Sequence, residues 1–183
     1  MKLLLIPDKF KGSLTSEEVS KAFIAGVKRA GVEFTSHYIK ASDGGDGFMK
    51  AVAHYKPCIS VQVISENPIG KSIQSYYLYN QETNSAFIEL ANASGMELLK
   101  PEERNPLLTS TFGTGLQIRD AVQKGIKNVY IGLGGSATND GGIGIAQALG
   151  YSFLDENGKK LKATGNSLNQ IKSIDDTGVL KGL

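Results

Sequence analysis

The sequence predicts an α/β protein with parallel strand pairing and a β-rich interruption. Three observations carry that prediction. The chain opens strand–helix–strand, an order that favours parallel pairing. Between residues 58 and 91 the texture changes to short alternating runs separated by turn residues. Glycine, 22 of 183 residues, is clustered where strands give way to helices.

Taken in order, Leu3-Leu4-Leu5-Ile6 reads as a fully buried strand stopped by Pro7. Thr15 and Glu18 form a capping box ahead of a helix whose apolar positions are Val19, Ala22, Phe23, Gly26, Val27 and Ala30, with Gly31 as its C-cap. A second strand runs through residues 35–41, and a helix follows over 48–54. Ile59, Val61 and Val63, then Ile73, Tyr76 and Leu78, then residues 86–90 read as strands, with "ENPIG" and "NQETN" as turns between them. Residues 101–106, "PEERNP", look like a linker, and "FGTG" opens a helix over 115–124. A strand over 129–131 leads into the glycine stretch "IGLGGSATNDGGIG", a short helix lies near 142–149, and "FLDENGKKL" reads as a hairpin with an Asn-Gly turn.

Composition bounds the function classes. Hydrophobic residues make up 40% and charged residues 21%, a globular balance with enough apolar material for a core. The net charge of +2 has no basic block or acidic tail, which argues against nucleic-acid and membrane partners. A single cysteine, Cys58, excludes an internal disulfide and fits a reducing cytoplasm. The N-terminal apolar run is too short for a signal peptide or a membrane span. His37 and His54 read as structural or surface residues.

Four turns share one design: "PDKFKGS" (7–13), "SDGGDG" (42–47), "TSTFGTG" (109–115) and "GGSATNDGG" (134–142). Each brings glycine and a polar group to the start of a helix. In an open parallel sheet such turns gather where ligands bind, and free amides at a helix start attract an anion, commonly phosphate. Asp8, Asp43, Asp46 and Asp140 sit in these turns, where bare carboxylates would repel phosphate. A hard cation such as Mg²⁺ between them removes the conflict, and a carboxylate can also deprotonate an attacking hydroxyl. Lys9 and Lys11 stand close enough to Asp8 in sequence to neutralise phosphate charge. Each turn alone is as readily a plain turn, and each Asp an N-cap; the four together favour a site.

Rival readings exist. No Walker-type phosphate loop is present. "GLGGSA" at 132–137 matches a dinucleotide-binding pattern, with Asp155 at a plausible distance for a ribose contact. Against it, the helix starts late, and Asp155 reads as part of a turn. A metal-dependent phosphate-ester hydrolase could be drawn from the same residues.

The stretches "IPDKFKGSLTSEEV", "SDGGDGF", "ANASGM", "PEERNPLLTSTFGTGLQIRDA" and "IGLGGSATNDGGIGIAQALG" closely resemble the bacterial glycerate kinases of the glycerate 2-kinase type, in order and through essentially the whole chain. The resemblance implies transfer of the γ-phosphoryl group of ATP to D-glycerate with Mg²⁺, the 2-hydroxyl being favoured over the 3-hydroxyl. It implies cofactor-binding positions at Ser13, Gly44, Gly45, Gly113, Thr114, Gly115, Gly134, Gly135, Ser136, Thr138 and Asn139. Backbone amides of 113–115 and 134–136 would cradle phosphates, and Lys11 would neutralise the transferring group. Asp140 with one of Asp43 or Asp46 would organise Mg²⁺, and Asp8 or another of these carboxylates would position the glycerate hydroxyl. The family more often carries Glu where this chain has Asp46.

Family members are roughly twice as long, so the resemblance makes this chain their N-terminal half. It further implies a Rossmann-like domain, incomplete here and opened by residues 1–56, with 57–183 in a second mixed α/β domain. Exposed apolar sheet faces are then expected, and with them a dimer or aggregation. A non-catalytic nucleotide-binding fragment and a dinucleotide-dependent oxidoreductase are the alternatives to a working kinase.

Overall fold

The structure is a computed structural model that describes residues 1–10 and 12–183. Lys11 lies outside the described residues. The chain divides into two compact units, Met1–Asp43 and Gly44–Leu183. The boundary near residue 56 that the resemblance implies concerns the longer protein.

The smaller unit is one strand–helix–strand motif: β1 (Lys2–Leu5), α1 (Ser16–Arg29) and β2 (Thr35–Tyr38). The strands pair in parallel, Leu3 opposite Ser36 and Leu5 opposite Tyr38, as the opening order predicts. The capping box forms: Thr15 Oγ1 accepts from the Glu18 amide and Glu18 Oε2 accepts from the Thr15 amide. The Glu18 carboxyl is held below its ordinary range, chiefly by the Thr15 amide. Helix α1 is followed by its C-cap Ala30 and then by Gly31 with φ 69°, a left-handed turn glycine adopts without strain. Ser16 Oγ and Tyr38 Oη lie 2.9 Å apart and tie the helix start to β2.

Two expectations fail in this unit. Strand β1 is not fully buried. Leu3 and Leu5 are half-buried, but Leu4 is 61% exposed, because a two-stranded sheet has only one covered face here. The covered stripe of α1 is also rotated from the expected one. Val19, Ser20, Ile24 and Val27 turn inward, whereas Phe23 is 50% exposed. Helical periodicity locates a helix, but α1 carries apolar residues on more than one side, and packing selects among them.

The larger unit is built on a four-stranded sheet of β3 (Ile59–Glu66), β4 (Ser72–Asn80), β5 (Ser85–Glu89) and β6 (Asn128–Gly132), in that spatial order. The first three form an antiparallel meander, and β6 adds parallel to β5. The turns are made by asparagines. Asn67 Oδ1 accepts from the amides of Ile69 and Lys71, and Asn80 Oδ1 accepts from the Thr83 amide and hydroxyl.

Strand alternation sorts the two faces. Val61, Val63, Tyr77, Tyr79, Ala86, Ile88, Val129 and Ile131 face α4 (Phe112–Gln123) and α5 (Ile143–Ala148) through Ile118, Ala121 and Ile145. Leu78 and Phe87 on the other face meet Met49 and Phe48 of α2 (Phe48–Tyr55), with Cys58 half-buried beside them. Tyr130 stacks on Phe87 with ring centres 5.2 Å apart. A four-residue helix, α3 (Ala91–Ser94), leaves the end of β5. Residues 101–106 are less linker-like than their composition: Pro101–Glu103 forms a 3-10 turn, and Glu103 Oε1 receives Lys71 Nζ at 2.8 Å. The C-terminal part pairs β7 (Ser152–Leu154) with β8 (Ser173–Asp175) over Ile143, Phe153 and Ala163. The predicted hairpin closes with the Asp155 amide donating to the Lys159 carbonyl.

Helix α4 begins at Phe112, three residues before the expected start at 115. Gly113 and Gly115 lie in its first turn, where neighbours leave no room for a side chain. A Cβ on Gly113 would strike the Glu66 carbonyl, and one on Gly115 would lie 2.8 Å from the Ile145 Cα. These glycines serve close packing rather than a turn.

Tyr77 is fully buried, and its hydroxyl donates to Asp120 Oδ2 at 2.9 Å, while Asp120 also pairs with Lys124. Burial, then the Asp120 carboxylate, push its phenol well above the ordinary value of 10.0. The unfolded chain's phenol therefore ionises first. This contribution to stability is whole below pH 10.0 and falls as pH rises beyond it. Tyr77→Phe is expected to lower unfolding free energy by about 1 kcal/mol near neutral pH. It should also flatten the alkaline loss, both readable by denaturant titration across that pH range.

Candidate functional site

The second and fourth glycine turns pack directly on each other. The Gly134 amide donates to the Gly44 carbonyl at 2.8 Å. A Cβ on Gly134 would collide with the Gly45 Cα, and one on Gly132 would lie 2.7 Å from the Gly44 oxygen. Asp46 comes up beside Gly135, with Oδ1 2.5 Å from where a Gly135 Cβ would stand. Glu89, at the end of β5, fixes the start of α2: its two oxygens accept from the amides of Gly47 (3.2 Å) and Met49 (3.1 Å).

The third and fourth turns are joined through Asp140, which is 1% exposed. Its Oδ2 accepts from the Thr111 amide (2.7 Å), the Thr111 hydroxyl (2.9 Å) and the Gly144 amide (3.2 Å). Its Oδ1 accepts from the Gly142 amide at 3.0 Å. Thr111 Oγ1 in turn accepts from the Ile145 amide at 3.0 Å. Around this core, Thr109 Oγ1 donates to the Ala137 carbonyl, Ser94 Oγ meets Thr114 Oγ1 at 2.7 Å, and Ser65 Oγ donates to the Gly113 carbonyl. Ser136 and Thr138 bond each other, Oγ to Oγ1 at 2.8 Å, and the Thr138 amide donates to Ser136 Oγ. The Met96 amide donates to the Gly135 carbonyl. Gly135 and Asn139 face solvent.

The larger unit thus gathers Gly44, Gly45, Asp46, Gly113, Thr114, Gly115, Gly134, Gly135, Ser136, Thr138, Asn139 and Asp140. Asp8, Lys9, Ser13 and Asp43 belong to the smaller unit. There Asp8 Oδ1 accepts from the Lys9 amide at 2.7 Å, and the Ser13 amide donates to the Phe10 carbonyl.

Helix-start amides were expected to offer an anion site. Several are already met by the protein's own anions. Glu89 takes two at α2, Asp140 takes Thr111 at α4 and Gly144 in α5, and the Thr15–Glu18 pair closes α1. Sequence reasoning missed Glu89 and Thr111. Glu89 carried a faint signal, an acidic residue ending an apolar strand; Thr111 carried none beyond its place in the turn.

Among the described residues, no three His, Cys, Asp or Glu side chains gather where they could hold a metal ion. These described groups do not make a cage of their own. Mg²⁺ does not require one, since it commonly takes one or two carboxylates together with phosphate oxygens and water. The dinucleotide reading loses its acidic partner: Asp155 Oδ1 accepts from the amides of Asn157 and Lys159 and shapes the hairpin turn. Among the described residues no helix is long and apolar enough to cross a membrane.

Glycine-on-glycine contact makes a sharp test. Gly134→Ala forces a Cβ into the Gly45 backbone and is expected to cost about 1–3 kcal/mol. Gly26→Ala, in α1 with open space around its Cβ, is expected to stabilise by about 0.5–1 kcal/mol. Thermal unfolding of the two variants beside the parent chain reads both signs.

The sequence pattern of the glycerate kinase family matches residues 3–183. The chain is 37% identical to the glycerate 2-kinase of Escherichia coli K12 over 179 residues, covering 98% of this chain and 47% of that protein. It is 37% identical to a glycerate kinase of Halalkalibacterium halodurans over 173 residues, covering 94% of this chain and 46% of that protein. The crystal structure of a putative glycerate kinase 2 from Salmonella typhimurium LT2 superposes with a TM-score of 0.76 at 37% identity, over 98% of this chain and 48% of that one. The chain therefore spans about half the length of the curated relatives it matches. With its glycine turns and the acidic residues that hold them, this chain belongs to the glycerate kinase family.

Proposed function

We propose that this chain works in a glycerate kinase that transfers the γ-phosphoryl group of ATP to the 2-hydroxyl of D-glycerate, giving 2-phosphoglycerate and ADP. The observation that carries the reading is the convergence of three glycine turns in one unit, with Gly44–Gly134 and Thr111–Asp140 contacts between them. Family membership supports the substrate, and the relatives named for glycerate or its 2-position support the acceptor.

Residue roles follow from that reading. Segments 113–115 and 134–136, with Ser13, Gly44, Gly45, Thr138 and Asn139, bind and orient the nucleotide phosphates, apart from the Gly115 and Gly134 amides, which the Thr111 and Gly44 carbonyls already take. Lys11 neutralises charge on the transferring group. Asp8 or Asp43 positions the glycerate hydroxyl and accepts its proton. Asp46 would hold Mg²⁺ together with phosphate oxygens; that ion supplies charge neutralisation at the phosphates. In the longer protein, residues 1–56 open a Rossmann-like domain and 57–183 belong to a second one. The reading carries a cytoplasmic location. For this chain by itself it carries self-association as a homodimer, supported by the exposure of Leu4, Ile6 and Phe10. Sedimentation velocity is expected to find a dimer, and a stable monomer sinks that part.

ADP release by the 183-residue protein with Mg²⁺-ATP is measured with and without D-glycerate, and the product is assigned by ³¹P NMR. Glycerate-dependent release, with 2-phosphoglycerate as product, would place a working site within these residues. Lys11→Ala is expected to lower the rate by roughly a hundredfold. Mg²⁺-dependent ATP binding without turnover would make the chain a nucleotide-binding part that needs further groups, a reading its half-length match to the relatives favours. Neither binding nor turnover would reject both.

A further inference from the structure

The role of Asp140 follows from what surrounds it. A carboxylate has about four lone-pair directions. Oδ2 of Asp140, with two of these, already meets three donors, and Oδ1 meets the Gly142 amide; at 1% exposure the direction left on Oδ1 is closed off from anything outside the protein. A metal ligand needs a lone pair aimed at the ion, and a general base needs one aimed at the substrate proton. Thr111 is fixed just as firmly. Its hydroxyl proton goes to Asp140, and its oxygen accepts from Ile145, so the bonds run continuously from the start of α4 to α5.

We propose that Asp140 and Thr111 are a positioning pair, which sets the third glycine turn against the fourth and governs phosphate binding through them, with Asp140 neither ligating metal nor taking a proton. Thr111 immediately precedes α4, which carries Gly113, Thr114 and Gly115 in its first turn. Asp140 closes the segment that carries Ser136, Thr138 and Asn139. Any shift in the pair moves both stretches at once. Removing the carboxylate also leaves the Thr111 and Gly144 amides buried without that acceptor.

The inference rests on the kinase reading for its binding arm, and the test separates the two. The 183-residue protein is compared with Asp140→Asn, Thr111→Val, Thr111→Ser and the Asp140→Asn/Thr111→Val double variant. ATP affinity is measured across a Mg²⁺ titration, and amide hydrogen exchange is followed over 109–115 and 140–146. Asp140→Asn and Thr111→Val are each expected to weaken ATP binding by roughly tenfold, with the double variant little worse than either. The half-saturating Mg²⁺ concentration should stay that of the parent, and Thr111→Ser should bind like the parent. The proposal is overturned if Asp140→Asn raises the Mg²⁺ requirement while Thr111→Val binds normally. Should Asp140→Asn fail to fold, the isosteric Thr111→Val and its Ser counterpart decide the matter. Should the parent bind no ATP, the kinase reading falls and exchange decides. Faster exchange at Gly142 and Gly144 in Thr111→Val but not in Thr111→Ser upholds the pair; unchanged protection rejects it.

Discussion

Asp140 collects donors from two segments of chain separated by almost thirty residues, Thr111 on one side and Gly142 and Gly144 on the other. Hydrogen bonds to a charged acceptor in a buried setting are about twice as strong as neutral ones, and leaving their donors unmet is costly. Much of the larger unit leans on this junction. Helices α4 and α5 touch where Gly115 meets Ile145 and Ala148, and Ile145 and Leu149 then extend the core that α4 builds against the sheet. Without the carboxylate, the helices would keep their apolar contact but lose the polar anchor that fixes their register.

The same device recurs in milder form. Glu89 closes α2 from the end of β5, and Glu18 closes α1 from within its own first turn. In all three cases a helix start that could attract an external anion is held by an internal one. Exposed amides at a helix start draw negative charge, and at these amides that charge is a side chain of the same protein. In the glycine-rich segments 113–115 and 134–136, the Gly115 and Gly134 amides are likewise taken, by the Thr111 and Gly44 carbonyls.

Most of the local structure was legible in the sequence. The capping box of α1, the parallel opening, the alternating strands of the meander and the asparagine turns all follow from neighbours within a few residues. The reach of Glu89 to α2, forty residues back, and the partners of Asp140 were not legible, because no local pattern encodes a contact across the chain. Phe23 shows the same limit: its spacing fits a core stripe, yet Val19, Ser20, Ile24 and Val27 are the residues that turn inward. For the candidate site, the sequence located the turns and their acids. It misjudged why Gly113 and Gly134 are glycine, since both are pressed against other backbone of the same unit.

That pressing has a thermodynamic side. Loops rich in glycine are ordinarily the most costly to order, because glycine has the most conformational freedom to lose. Here Gly134 is bonded to Gly44, Gly135 to Met96, and the Thr111 end is tied to Asp140. The entropy of ordering these loops is lost when the chain folds, not when something arrives. A small ligand meeting them would need to offset only its own immobilisation and dehydration, so its affinity would report contacts made rather than disorder removed.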